Sequence, residues 1–123
     1  MTTKYKIKWL SKPEEHDYAA AVSYLRLLYD QKTAKADVKK LKRAVLSEFK
    51  SKDIFRAASL PLLAVSNSHV KKDQLKIAAG QKISPLLLIQ VSSSEKVVIA
   101  DGYHRLCAVY SFDEDALIPC KIV

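Results

Sequence analysis

The stretch Val97–Tyr110, VVIADGYHRLCAVY, gathers the side chains of this chain best suited to chemistry. Asp101 offers a carboxylate, His104 an imidazole that titrates near neutrality, and Arg105 a planar fork of donors. The apolar, β-branch-rich residues before Asp101-Gly102 have the pattern of a buried strand. Leu106, Val109 and Tyr110, at i, i+3 and i+4, mark one face of a helix. A strand that passes through a glycine into a helix leaves backbone N–H groups and a positive dipole end facing outward, which suits an anion. The expected site therefore comprises Gly102, Tyr103, His104 and Arg105 around an anion. Asp101 caps the first turn of the helix or, in the chemical alternative, acts as a base or magnesium ligand. His104 serves as proton donor or base, with a pKa lowered by Arg105.

Other chemistries find less support. Two glycines are too few for a Walker loop or a GxGxxG fingerprint. His104 and Cys107 stand at i and i+3, but two ligands do not make a zinc site, and no metal centre is expected. Asp113, Glu114 and Asp115 read as a solvated loop whose charge would offset the basic half of the chain in a dimer.

A second candidate lies elsewhere. Lys35, Lys39, Lys42 and Arg43 fall on one side of an expected helix, which suggests a non-catalytic nucleic-acid-binding or regulatory module, or simply a solvated face. No aromatic side chains are interleaved to stack on bases. The formal charge of +8 over 123 residues lies almost wholly within residues 1–59, away from the Asp101–Arg105 stretch. It favours anionic partners without saying which.

With 49% hydrophobic residues, two glycines and four prolines, the chain is expected to fold as one domain. It has no apolar run of membrane-spanning length and no secretory h-region, so no membrane partner is expected. Two cysteines without CxxC spacing suit reduced thiols, and a cytoplasmic location follows as the expectation.

The elements that must position these groups follow from periodicity. Tyr5, Ile7 and Trp9 alternate with lysines, as in an edge strand. Ser11 and Glu14 form a capping box, with Pro13 near the first helical position, for a helix running to about Asp30 on the stripe Tyr18, Val22, Leu25 and Tyr29. A polar link, Gln31 to Thr33, leads to a second helix reaching Phe49, with Val38, Leu41, Val45 and Phe49 inward. Next come a short helix from Ser51, a strand Leu60–Val65, a polar loop from Ser66 to His69 and a two-turn helix ending at Gly80. A strand after Pro85, a turn at Ser92–Glu95, the returning strand Lys96–Ala100 and a last strand Leu117–Val123 complete the chain.

From Lys71 onward the order is helix, Gly, Pro, strand, turn, strand, Asp-Gly-Tyr-His-Arg, helix, strand. This resembles the core of the ParB and sulfiredoxin superfamily, in which a glycine-led motif opens a helix. The ParB motif is GERR and the sulfiredoxin motif GCHR; here the residues are Gly102, Tyr103, His104 and Arg105, followed by Ala108. Asp101 and Gly102 are also similar to the Asp-Gly-His stretch of the superfamily's free serine kinases. The resemblance covers residues 54–123 and implies that Gly102, His104 and Arg105 contact a nucleotide phosphate, with ATP, CTP or ADP and Mg2+ as cofactors. Phosphoryl transfer or nucleotide hydrolysis would be the reaction. Tyr103 stands where sulfiredoxins carry the catalytic cysteine and ParB proteins the glutamate, which argues against sulfinic acid reduction and against ParB-style hydrolysis. The expected fold is α+β: a small mixed sheet with packed helices, ParB/sulfiredoxin-like, after an N-terminal strand and helical hairpin in residues 1–53.

Overall fold

The computed structural model describes residues 6–62, 67–91 and 93–123. In order, the elements are β1 (Lys8–Trp9), α1 (Glu15–Leu25), α2 (Gln31–Arg43), β2 (Leu46–Lys50), α3 (Ser51–Ala58), α4 (Ser68–Ala78), β3 (Lys82–Ile83), β4 (Leu86–Val91), β5 (Lys96–Asp101), α5 (Tyr103–Phe112) and β6 (Leu117–Ile122). The fold is α+β. Four strands form one mixed sheet in the order β2-β6-β4-β5, parallel only between β4 and β6, and β1 pairs with β3 in a separate parallel ribbon.

The sheet is covered on both sides. Alternate residues of β4 explain why: Leu86 and Leu88 join the core formed with α3, α4 and α5, while Leu87 and Ile89 join the core formed with α1 and α2. A strand buried on both faces must be apolar throughout, and LLLI is. The helical pair α1–α2 is thus one outer layer of the sheet, and β2, from the same N-terminal part, is hydrogen-bonded into the sheet through β6.

Several expectations shift. β1 is shorter than the alternating pattern suggests and pairs in the ribbon; Tyr5 lies outside the described residues. The first helix starts at Glu15 because the capping box is Glu14 with Asp17: the Glu14 amide donates to Asp17 Oδ2 at 2.9 Å. Pro13 disfavours helical backbone at Lys12, so Ser11 cannot serve as the cap. The helix ends at Leu25, and Val22 and Tyr29 are only partly buried.

Gln31 to Thr33 is not a link but the first turn of α2, capped by Asp30, whose Oδ1 accepts from the Thr33 amide at 2.7 Å. That helix stops at Arg43. Val45 is 80% exposed, and Phe49 lies on β2, paired with Ile118. Pairing of all five β2 residues with β6 overrides the helical spacing, which is the usual outcome when tertiary context competes with a local pattern.

Leu60–Leu62 are irregular rather than strand, and the rest of the expected 60–65 strand lies outside the described residues. His69 belongs to α4, not to a loop. Asn67 caps that helix, accepting from the His69 and Val70 amides at 3.0 and 3.2 Å, and its 11 residues make three turns rather than two. The β4–β5 hairpin, the strand after Pro85 and the last strand stand as expected. No helix among the described residues is long and apolar enough to cross a membrane.

Candidate functional site

The Asp101–Arg105 stretch joins β5 to α5 through Gly102, the helix's N-cap residue, at φ 108°. Only glycine fits here. A Cβ would meet Leu86 Cγ at 2.8 Å and Arg105 Nη2 at 3.0 Å, and the backbone conformation is one that L side chains avoid. Glycine has no side chain to accept from the first turn of α5. Asp101, expected to do so, does not cap the helix.

Asp101 turns instead to Arg105. Its Oδ2 accepts from Arg105 Nη2 at 2.9 Å, while Arg105 Nε donates to the Ser84 carbonyl at 3.0 Å and Nη2 to the Pro85 carbonyl at 3.1 Å. Nη1 stands 4.0 Å from Asp17 Oδ1 on α1. The guanidinium side chain is only 16% exposed, and its Nε and Nη2 donors are committed. It ties α5, the entry to β4 and the N-terminal helix together. Burial raises the Asp101 pKa above its usual 3.8; Arg105 opposes that shift and Asp17 adds to it.

His104 lies apart from this pair. Its ring packs on that of His69 from α4, with centroids 4.8 Å apart, and on Tyr103 at 5.7 Å. Its pKa is held below 6.5 by desolvation and then by His69, with Asp73 pulling the other way. The lowering was expected from Arg105; the structure assigns it to burial and the second histidine. The Tyr103 hydroxyl donates to the Pro61 carbonyl, fastening the segment after α3 to the start of α5.

A cleft of about 180 Å³ opens over this helix start. Asp101, Gly102, Tyr103, His104 and Arg105 line one side, and His69, Lys72, Asp73 and Lys76 of α4 the other. The lysines and His69 were not picked out from sequence. Their i, i+3 and i+7 spacing along α4 was the available signal, but which helix would face the motif was not written locally. The first-turn amides of α5, Tyr103 to Arg105, have no acceptor within the helix, and none elsewhere among the described residues. Chemically, the cleft presents uncapped amides, the ammonium groups of Lys72 and Lys76, the imidazoles of His69 and His104, the latter with its pKa lowered, and the carboxylates of Asp73 and Asp101. Such a set has the donors an oxyanion would accept from and a group able to move a proton.

Asp17 was missed because its charge, inside a helix, resembles a surface residue; it is 3% exposed. Cys107 is buried in the core with α3 and α4, facing away from the cleft, and Cys120 is a buried thiol pushed up to about 12 by desolvation. No three His, Cys, Asp or Glu side chains among the described residues could hold a metal ion.

Lys35, Lys39, Lys42 and Arg43 are exposed on α2, across the sheet from the cleft. Lys42 reaches Glu15 at 3.6 Å, and the basic last turn of α2 complements the negative end of its dipole. Asp115 pairs within the chain, with Lys52 at 2.6 Å. No family model, curated protein or solved structure matches the chain.

Proposed function

We propose that the cleft between α4 and α5 binds the phosphate of a nucleotide or a related phosphorylated anion. The observation that carries this reading is the uncapped start of α5, with His104 in its first turn, facing His69, Lys72 and Lys76 of α4 across the cleft. The phosphate oxygens accept from the Tyr103 and His104 amides, and the two lysines supply charge. A cleft of about 180 Å³ admits a phosphate group, so the remainder of the ligand lies outside it, against the Tyr103 and His104 rings. The resemblance of Gly102–Arg105 to the ParB and sulfiredoxin loops supports phosphate as the anion.

In this reading Arg105 and Asp101 are positioning residues. Their mutual bond, and those of Arg105 to the Ser84 and Pro85 carbonyls, hold the helix start where the amides converge. His104, neutral at pH 7, sits at the edge of the anion. The reading extends to nucleotide hydrolysis: a water attacks the terminal phosphorus, the bond to the bridging oxygen breaks, and the proton of the water passes to His104. Two buried cysteine side chains, with Cys120 held as the unreactive thiol, are in keeping with a reducing, cytoplasmic setting.

Calorimetry with ATP, CTP, ADP and inorganic phosphate, each with and without Mg2+, tests the proposal. At least one ligand should bind, and Lys72→Ala with Lys76→Ala should weaken it about tenfold or more without unfolding the protein. Absence of heat with every ligand overturns the reading. Phosphate release from ATP or CTP tests the hydrolytic extension separately.

A further inference from the structure

A second cavity, of about 580 Å³, takes no part in the site above. It lies on the face of the sheet covered by α1 and α2, beneath the segment that leads from β1 into α1. Leu10, Pro13 and Tyr18 give it an apolar wall, and the rest of its lining is Ser11, three lysines, Lys12, Lys42 and Lys121, and two carboxylates, Glu14 and Glu15.

Lys121 is the informative residue. It stands on β6, turned toward the helical pair, and is 9% exposed. A lysine this deep is normally paired with a carboxylate. Here Nζ donates to the Lys42 carbonyl at 2.9 Å and lies 5.8 Å from the centre of the Tyr18 ring. Neither contact cancels the charge, and no carboxylate partners it among the described residues. Lys42 Nζ stands over the same ring at 5.4 Å, so two like charges converge on Tyr18.

The nearby carboxylates do little to offset them. Glu14 is spent on capping α1 and on Ser84, whose hydroxyl donates to it at 3.2 Å. Glu15 reaches Lys42 at 3.6 Å from a side chain that is 86% exposed, where pairing is worth little.

We infer that this cavity is a binding site for a small phosphorylated molecule. The phosphate lies between Lys12, Lys42 and Lys121, and the organic part lies against Leu10, Pro13 and Tyr18. Ammonium groups without a guanidinium fork act as point charges and suit a tetrahedral dianion better than a planar carboxylate. The volume falls in the range of about 300–1,000 Å³ usual for small-molecule sites. The proposal does not rest on the α4–α5 cleft.

NMR titration of the whole chain tests it, reading the backbone amides of Tyr18, Lys42 and Lys121 against those of Tyr103 and His104. Inorganic phosphate and AMP should shift the first group saturably, while adenosine, lacking the phosphate, should leave it unmoved. Lys12→Ala with Lys42→Ala retains the Lys42 carbonyl that holds Lys121, and should weaken AMP about tenfold or more while leaving the melting temperature near that of the parent. Lys121→Met should abolish binding; should that variant not fold, the double variant decides. Three outcomes overturn the proposal: no shift with phosphate or AMP, shifts confined to the Tyr103 group, or shifts of the Tyr18 group by unphosphorylated oligothymidine but not by AMP. Shifts confined to the Tyr18 group support this site and remove the one at α5.

Discussion

The starts of α3 and α5 differ in one respect that decides their use. Neither helix has a side-chain cap from its N-cap residue, Lys50 in one and Gly102 in the other. At α3 the rest of the protein fills the gap: the Ser51 amide donates to the Ala116 carbonyl and the Lys52 amide to the Glu114 carbonyl, both at 3.0 Å. The Ser51 hydroxyl donates to the Asp113 and Glu114 carbonyls at 3.1 and 2.7 Å, and Ser51 is wholly buried. At α5 the neighbouring carboxylate is occupied by Arg105, and the amides open onto a cleft edged with lysine and histidine. An uncapped helix start is therefore not in itself a site. It becomes one where the fold withholds its own acceptors and brings positive charge alongside.

The sharpest way to break this contrast is to remove the residue that keeps Asp101 away from the helix start. Arg105→Ala leaves Asp101 and two carbonyls without their donor in a largely buried setting, and should cost about 3–5 kcal/mol in urea denaturation. A loss below about 1 kcal/mol would mean that the guanidinium is not structural and is available to a ligand. A smaller effect tests the sealed start. Ser51→Ala should cost about 1–2 kcal/mol, because the Asp113 and Glu114 carbonyls lose a donor, and should leave anion binding at α5 unchanged in calorimetry. If binding falls with stability, the two helix starts are not independent.

The smallest expected effect is a pH dependence. The fold holds His104 below its ordinary 6.5, so the unfolded chain takes up the proton more readily. His104 therefore lowers stability as pH falls through 6.5 toward its folded value, and has no effect well above 6.5. A bound anion reverses the preference by stabilising the imidazolium. Affinity for sulfate, whose own charge is constant in this range, should rise as pH drops below about 6.5 and should rise less in His104→Asn. Equal pH profiles for the two proteins would remove His104 from the site.

Much of the C-terminal half was legible because its signals are local. Pro85, the apolar run after it, the returning strand and the Asp-Gly break each act through a few adjacent residues, and the structure places β4, β5 and α5 accordingly. The N-terminal half was harder. The apolar spacing of Val38, Leu41, Val45 and Phe49 suits a helix, yet the last two lie outside it, because residues 46–50 gain more from pairing with β6, a strand some 70 residues later. The two capping errors differ in cause: Pro13 excludes Ser11, whereas Asp101 is drawn to Arg105. A short polar side chain is eligible for several partners, and the nearest in sequence is not always the one in reach.

By itself, then, the sequence determined where the chain must turn and which residues must be buried: Gly102 for its backbone and LLLI for a strand enclosed on both faces. Only the tertiary structure decided what the charged groups do. Arg105 holds carbonyls and carboxylates from three elements, Lys121 meets Lys42 and Tyr18 across layers, and His104 faces His69 from another helix. Turn geometry is set by neighbouring residues along the chain. The partner of a charge is set by whatever folding brings within a few ångströms of it, and that is a property of the whole packed molecule.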